Sequence, residues 1–111
     1  MVVLNIKSLS VNRAYKGRRF KTDDYKNYEK ELMLLLPNIE IPKPPYEVYY
    51  KFGFSSKLSD WDNPVKPFQD ILQKRYDFND RDIFKAVCEK EIVNKGEEYL
   101  IFDIKSLVKK K

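Results

Sequence analysis

The chain of 111 residues contains no histidine and only one cysteine, Cys88. The absence of imidazole excludes the Ser-His-Asp and Cys-His arrangements of nucleophilic catalysis. Together with the shortage of thiols, it also excludes the tetrahedral zinc sites that need several Cys or His ligands. Any metal site in this protein must therefore be built from oxygen ligands, which suit hard ions such as Mg²⁺.

A single cysteine cannot form a disulfide within the chain, and we expect Cys88 to be a buried, unreactive thiol in a strand. The sequence also lacks any run of about 18 apolar residues that could span a bilayer. Its first residues do not show the basic region and long apolar region of a secretion signal. These absences predict a soluble, cytoplasmic protein with no membrane partner.

What the sequence does contain is an excess of positive charge. It has 22 Lys and Arg against 17 Asp and Glu, a net charge of +5, which favours a polyanionic partner such as nucleic acid. A hydrophobic content of 42% fits a folded chain, and the length fits one domain rather than two. We therefore expect a single domain over residues 1–111, with a basic C-terminal tail from about residue 105.

Hydrophobic periodicity divides the chain into alternating strands and helices. Thr22 is typical of a helix cap, and apolar residues at helical spacing then continue until Pro37. Alternation at period two across residues 46–54 predicts a half-buried strand. The remaining predicted elements are a strand at 2–6, a helix beginning at Asn63-Pro64, and strands at 83–92 and 98–104 joined by a hairpin turn at 94–97.

This order, β-α-β-α-β-β, predicts an α+β fold. We expect a small mixed sheet of about four strands, with the two helices packed against one face.

Residues 7–21 form a polar, basic segment that we expect to be a loop. Its cations alternate with Tyr15 and Phe20, a mixture typical of surfaces that hold phosphates and contact sugars or bases. The alternative is a solvated, mobile loop. The candidate DNA-binding residues are Asn12, Arg13, Lys16, Arg18, Arg19 and Lys21.

A second cluster of functional residues lies around the predicted start of the second helix. If Asp60 and Asp62 end an extended segment, their side chains point to the same face and can reach one ion, with Trp61 on the opposite, packed face. Lys66 follows one helical turn later and lies four residues before Asp70.

A third carboxylate can come from Asn79-Asp80-Arg81-Asp82. Acidic residues and a lysine are the parts that metal-assisted phosphodiester hydrolysis needs. The alternative is an ordinary turn followed by a helix start, with no chemistry.

The pattern Asp60-x-Asp62-Asn63-x-x-Lys66, followed by Asp70-Ile71-Leu72 and Asn79-Asp80-Arg81-Asp82-Ile83, resembles the RusA-type Holliday junction resolvases. These are small endonucleases often carried by phages and prophages. The segment Ser10-Val11-Asn12-Arg13-Ala14-Tyr15 is similar to the basic motif that opens members of that family. The resemblance spans almost the whole chain and keeps the order and spacing of the motifs.

The resemblance implies a homodimeric, Mg²⁺-dependent endodeoxyribonuclease that nicks paired strands of a four-way DNA junction during recombination and repair. Mn²⁺ is the alternative ion. Asp60, Asp62 and Asp80 would be the catalytic metal ligands and Lys66 the essential basic residue, with Asn63 and Asp70 as secondary residues that orient the site. The family often carries two acids where Asn79-Asp80 stands, and Asp82 is therefore a rival for the third ligand.

Three other functions fit the same residues. A flap or branched-DNA nuclease without preference for four-way junctions would use the same catalytic residues. A non-enzymatic nucleic-acid-binding protein would use only the basic segment, with the aspartates as a helix cap. An interaction module would instead use the aromatic strand at 46–54.

Overall fold

The computed structural model of the protein describes residues 1–17 and 20–108. Arg18 and Arg19, two of the predicted DNA contacts, lie outside the described residues, as do residues 109–111 of the predicted basic tail. The part of the tail that is described begins as strand, because the last strand continues to Ser106.

A four-stranded mixed sheet forms the centre of the fold, which confirms the α+β prediction. Its strands are β1 (Val2–Leu4), β4 (Tyr46–Phe54), β5 (Ile83–Ile92) and β6 (Tyr99–Ser106), in the spatial order β1-β6-β4-β5. β4 pairs in parallel with β5 and antiparallel with β6, and β1 pairs antiparallel with β6. β4 therefore lies inside the sheet, between β6 and β5.

β4 buries one face, as its alternation predicts. Val48, Tyr50 and Phe52 have no exposed surface, and Tyr46 and Phe54 retain less than a tenth of theirs. Two helices cover this face, α2 (Asp23–Leu35) and α3 (Val65–Tyr76). They contribute fully buried apolar side chains, namely Leu32, Phe68, Ile71 and Leu72.

The helix boundaries follow local chemistry. The Thr22 hydroxyl accepts a hydrogen bond from the Tyr25 N–H (3.2 Å) and so caps α2, as predicted. α2 ends at Leu35, two residues before Pro37. α3 begins at Val65, with Pro64 rather than Asn63 at the cap position, a shift of one residue from the prediction.

The predicted hairpin between the last two strands is wrong. β5 and β6 do not pair with each other, because β4 lies between them. The Val93 N–H donates to the Phe54 carbonyl (2.7 Å), which carries the chain from the end of β5 across the end of β4. β6 then pairs with the other edge of β4. As a partner for β6, β4 offers more apolar side chains than β5 does.

The loop predicted for residues 7–21 contains regular structure instead. α1 (Val11–Ala14) is followed by a small hairpin of β2 (Tyr15–Lys16) and β3 (Phe20–Lys21), with Gly17 at a φ of 71° in its turn. No helix within the described ranges has the length and apolar content needed to cross a bilayer.

Gly53 generates a testable prediction about the sheet. A Cβ at this position would lie 2.5 Å from Cδ1 and Cε1 of the Tyr99 ring on β6. Gly53→Ala must therefore displace the ring and break the hydrogen bond from the Tyr99 hydroxyl to Glu91 (2.8 Å). We expect urea denaturation to show a loss of about 1–3 kcal/mol in the free energy of unfolding.

Tyr99→Ala removes the clash and supplies the control. The Gly53→Ala/Tyr99→Ala double variant should lose less free energy of unfolding than the two single variants lose together. The reason is that the ring that the new methyl group would displace is already absent. Full additivity would contradict this packing.

Candidate active site

The segment that carries the predicted metal ligands is a turn and not the end of a strand. Residues 61–64 form successive turns in which the Asn63 N–H donates to the Asp60 carbonyl (3.3 Å) and the Val65 N–H to the Asp62 carbonyl (3.1 Å). The expectation of an extended segment is therefore wrong, because the chain is already coiling towards α3. Asp60 and Asp62 are both exposed to solvent.

Trp61 also departs from the prediction. Its side chain is 54% exposed and does not pack into the core. In a turn, neighbouring side chains do not alternate between two faces as they do in a strand, so Trp61 is not directed to a packed face opposite the aspartates.

Backbone and side-chain hydrogen bonds fix this turn to two other parts of the molecule. The Val11 N–H donates to the Asn63 carbonyl (2.8 Å), which joins α1 of the basic segment to the turn. On the other side, Lys90 Nζ on β5 donates to the Ser59 carbonyl (2.7 Å). The aspartates therefore lie between the basic segment and β5.

Asp60 and Asn63 line a cleft of about 170 Å³ beside the carboxyl end of β4. Lys7 and Arg13 contribute positive charge to the same cleft, and Ser8, Ser10, Ser55, Ser56 and Ser59 contribute hydroxyl groups. Glu98 lines the cleft as well and accepts a hydrogen bond from the Ser55 hydroxyl (2.7 Å). A cleft that combines two carboxylates, an amide, cations and hydroxyls can hold a phosphate together with a hydrated metal ion. Lys7 belongs to the basic segment but was not a candidate site residue, and the serines were not candidates either, because these side chains meet Asp60 only in the folded chain.

The charge of Asp62 acts on β5. Burial and then the Asp62 charge raise the pKa of the Cys88 thiol. Cys88 is in a strand, as predicted, but it is half-buried rather than enclosed. Its high pKa fits the expectation of a poorly reactive thiol, because the thiolate is the nucleophilic form.

Asp80, the predicted third ligand, opens a single 3₁₀ turn (Asp80–Asp82) just before β5. Its backbone N–H donates to Gln73 Oε1 of α3 (2.8 Å). Burial, then Cys88 and then Asp80 raise the pKa of Tyr50, whose hydroxyl donates to Gln69 Oε1 (3.0 Å). The charges of Asp62 and Asp80 thus act on Cys88 and Tyr50, which are register partners in β5 and β4.

The structure does not gather the three predicted ligands. Among residues 1–17 and 20–108, no three Asp, Glu or Cys side chains are grouped closely enough to hold a metal ion. Mg²⁺ does not require such a group, because it often binds through one or two carboxylates, water and substrate phosphate. The exposed carboxylates of Asp60 and Asp62 fit that mode of binding.

Lys66 belongs to a small network centred on Asp70. Lys66 Nζ lies 3.2 Å from Asp70 Oδ2, as the i,i+4 spacing predicts. The Tyr15 hydroxyl donates to the same carboxylate oxygen (2.6 Å), and Lys66 Nζ lies 5.6 Å from the centre of the Tyr15 ring. Asp70 therefore fixes the hairpin of the basic segment to α3, a contact that the sequence spacing could not reveal.

The same network perturbs both tyrosines beside it. Burial, followed by the hydrogen bond and charge of Asp70, raises the pKa of Tyr15. Burial, followed by the charges of Glu29 and Asp70, raises the pKa of Tyr25 to about 12. Both side chains therefore remain neutral at physiological pH, and Tyr15 stays a hydrogen-bond donor to Asp70.

The described members of the basic segment differ in their surroundings. Asn12 and Lys16 are exposed. Arg13 forms an exposed ion pair with Asp24 (3.1 Å), and Lys21 Nζ lies 5.0 Å from the centre of the Tyr25 ring. Exposed pairs of this kind contribute little to stability, so these cations can exchange their partners for phosphate groups.

Comparison with models of known protein families and with curated protein sequences gives no match.

The single thiol offers a direct test of where Asp62 lies. Asp62→Asn removes the charge that raises the Cys88 pKa, so the thiolate fraction at pH 8 should increase and the thiol should react faster with a disulfide reagent. The difference should disappear at high pH, where the thiol is ionised in both proteins. Asp60→Asn is the matched control and should change the rate less. Equal rates for the wild type and Asp62→Asn would contradict the placement of Asp62 beside β5.

Proposed function

We propose that this protein is a Mg²⁺-dependent, structure-specific endodeoxyribonuclease of the RusA type, acting as a homodimer on four-way DNA junctions in the bacterial or phage-infected cytoplasm. The observation that carries the proposal is the hydrogen bond from the Val11 N–H to the Asn63 carbonyl. It joins the basic motif to the aspartate motif, two segments about 50 residues apart that the resemblance assigns to DNA binding and to catalysis.

The cleft beside β4 gives the two motifs a common surface. Arg13 and Lys7 attract a phosphate to the cleft that Asp60 and Asn63 line. Lys16 and Lys21 extend the positive surface away from the cleft along the hairpin. A DNA backbone held along this surface would place one phosphate next to the aspartates.

Asp60 and Asp62 are the residues that would hold Mg²⁺, with Asp80 or Asp82 as a further acidic group. When bound, the ion supplies Lewis acidity for the scissile phosphate and a more acidic water for attack. Lys66 stabilises the negative charge that develops on the phosphate. Asp70 positions Lys66 through their ion pair and holds the basic segment through Tyr15. Asn63 keeps the turn in place through its backbone carbonyl.

A second candidate function is a non-enzymatic DNA-binding protein. One observation favours it, namely that no group of three acidic or thiol side chains is assembled within the described ranges. In that protein the same cations would bind phosphates, and the aspartate turn would only lead into α3. Binding to DNA would then persist with no divalent-dependent cleavage.

Asp62→Asn separates these functions. We expect this variant to lose nearly all cleavage of branched DNA in Mg²⁺, a fall of about 100-fold or more, because a metal ligand loses its charge. It should still bind the DNA, because the phosphate-binding cations are intact. Cleavage rate in single-turnover reactions and affinity in a filter-binding assay measure the two effects.

Asp77→Asn is the matched control, since it makes the same change at an exposed position after the end of α3. It should cleave at the wild-type rate. If Asp62→Asn also cleaves at that rate, the assignment of the site is wrong. If neither the wild type nor the control cleaves in Mg²⁺ while both bind DNA, the non-enzymatic function is correct.

A further inference from the structure

Trp61 is the only tryptophan in the chain, and it stands between the two aspartates of the proposed site. Its side chain is 54% exposed. Within the described part of the chain, no other aromatic ring packs against the indole and no lysine or arginine lies over it. Tryptophan is usually largely buried, because its ring system offers a large apolar area. The exposed indole is therefore available to a ligand.

Hydrogen bonds hold the backbone on both sides of the indole. The turn around it is closed by the bonds to the Asp60 carbonyl (3.3 Å) and the Asp62 carbonyl (3.1 Å). The residue before the turn, Ser59, is attached to β5 through Lys90 (2.7 Å). A tryptophan side chain has only two rotatable torsions, so a ring on such a fixed turn loses little conformational freedom when it binds.

Positive charge lies on both sides of this turn. Lys7 and Arg13 line the cleft that Asp60 shares, and Lys90 reaches the loop from β5. Lys57 is exposed in the loop that leads to the turn. A polyanion that crosses the turn therefore meets cations before and after the indole, which offset the repulsion by the two carboxylates.

These charges favour a nucleic acid over a protein as the partner of the indole. The centres of protein–protein interfaces are depleted of charged residues, whereas Trp61 is joined directly to Asp60 and Asp62. Sites for unpaired nucleic acid instead combine aromatic rings with a positively charged groove. The part of a nucleic acid that fits an indole is the flat face of a base.

The state of the DNA decides whether a base can meet the ring. In a linear duplex both faces of each base are covered by neighbouring base pairs. A ring can then stack on a base only if the helix opens, which costs free energy. The cost is smallest for a base that is already unpaired, as in a single strand or beside a disrupted pair at a branch point.

We propose that Trp61 stacks on a nucleobase next to the phosphate that the aspartate turn holds, and that this contact selects DNA whose bases are unpaired or easily unstacked. Consecutive Cα atoms are about 3.8 Å apart, so the indole is tethered beside both carboxylates. A phosphate held there brings a neighbouring base within reach of the ring. The inference rests on the proposed function for the position of the phosphate, and it adds the feature that selects the DNA substrate.

The wild-type protein carries its own probe. Emission excited beyond the absorption band of tyrosine comes from Trp61 alone. Stacking on a base quenches indole emission, whereas binding through phosphates leaves the ring in water. We expect saturating four-way junction or single-stranded DNA, added in EDTA to prevent metal-dependent cleavage, to quench the emission. A linear duplex of shared sequence should quench it much less, with binding followed separately by the anisotropy of a dye on the DNA.

Substitutions at Trp61 separate stacking from apolar contact. Trp61→Ala should weaken binding to the junction and to single-stranded DNA by about tenfold and change binding to the duplex little. Trp61→Phe keeps an aromatic face and should retain most of the affinity. Trp61→Leu keeps an apolar side chain without such a face and should resemble Trp61→Ala.

Leu34→Ala is the matched control. It removes an apolar side chain that is 84% exposed on α2, outside the cleft. This variant should bind all three DNAs as the wild type does. Circular dichroism checks that each variant is folded, and the quenching measured on the wild type does not depend on any variant.

Three results would overturn the inference. The first is quenching that is equal for bound duplex and bound junction, or absent for both. The second is a Trp61→Leu variant that binds the junction as tightly as Trp61→Phe does, because an apolar contact would then be sufficient. The third is emission that changes when the protein is diluted without DNA and does not respond to DNA, which would place the ring in a contact between copies of the chain.

None of these measurements depends on cleavage. Quenching by the junction in a protein that never cuts DNA would support stacking and contradict the nuclease. Cleavage in Mg²⁺ by a protein whose emission ignores the junction would contradict stacking alone. Failure of this inference is therefore distinguishable from failure of the proposed function.

Discussion

Burial of the apolar face of β4 is the constraint on which the rest of the structure depends. Tyr50, Phe52 and Val48 are fully buried beneath the helices, and Phe68 of α3 is in edge-to-face contact with both aromatic rings. A helix in that position must begin beyond the carboxyl end of β4. The Asp60–Lys66 motif is therefore held at the end of the central strand by the packing of the core.

The proposed site then depends on how the basic segment is attached to this frame. Asp70 accepts hydrogen bonds from both Tyr15 and Lys66, and Asn63 accepts one from Val11. The positive charge of the segment is thus fixed beside the carboxylates even though few of its side chains are buried. Positive charge beside exposed carboxylates suits a surface that binds a phosphate and a hydrated cation together.

Periodic signals predicted the local elements well. The alternation in β4 and the Thr22 cap of α2 follow from interactions within a few residues, and both are confirmed. The hairpin of β5 and β6 was wrong because the choice of strand partner depends on a distant strand, β4. Trp61 was misplaced because one hydrogen-bonded turn changes the direction of every side chain around it.

The candidate site was predictable in its residue types but not in its geometry. Asp60, Asp62 and Lys66 stand out in the sequence through their spacing. The cleft that Lys7 shares with Asp60 and the link from Tyr15 to Asp70 form only in the folded chain. The grouping of Asp80 with the other aspartates, expected from the resemblance, does not occur within the described ranges. The periodicity and spacing of residues in one sequence do not indicate contacts between residues that are far apart in the chain.

The most direct test of the account is to map cleavage on end-labelled DNA at nucleotide resolution. Purified protein would be incubated with a four-way junction, a flap and a linear duplex of shared sequence, each in Mg²⁺ or EDTA. A RusA-type resolvase should give paired, symmetry-related nicks near the branch point of the four-way junction, present only in Mg²⁺ and absent from the linear duplex. Binding to all three DNAs with no Mg²⁺-dependent cut would contradict it.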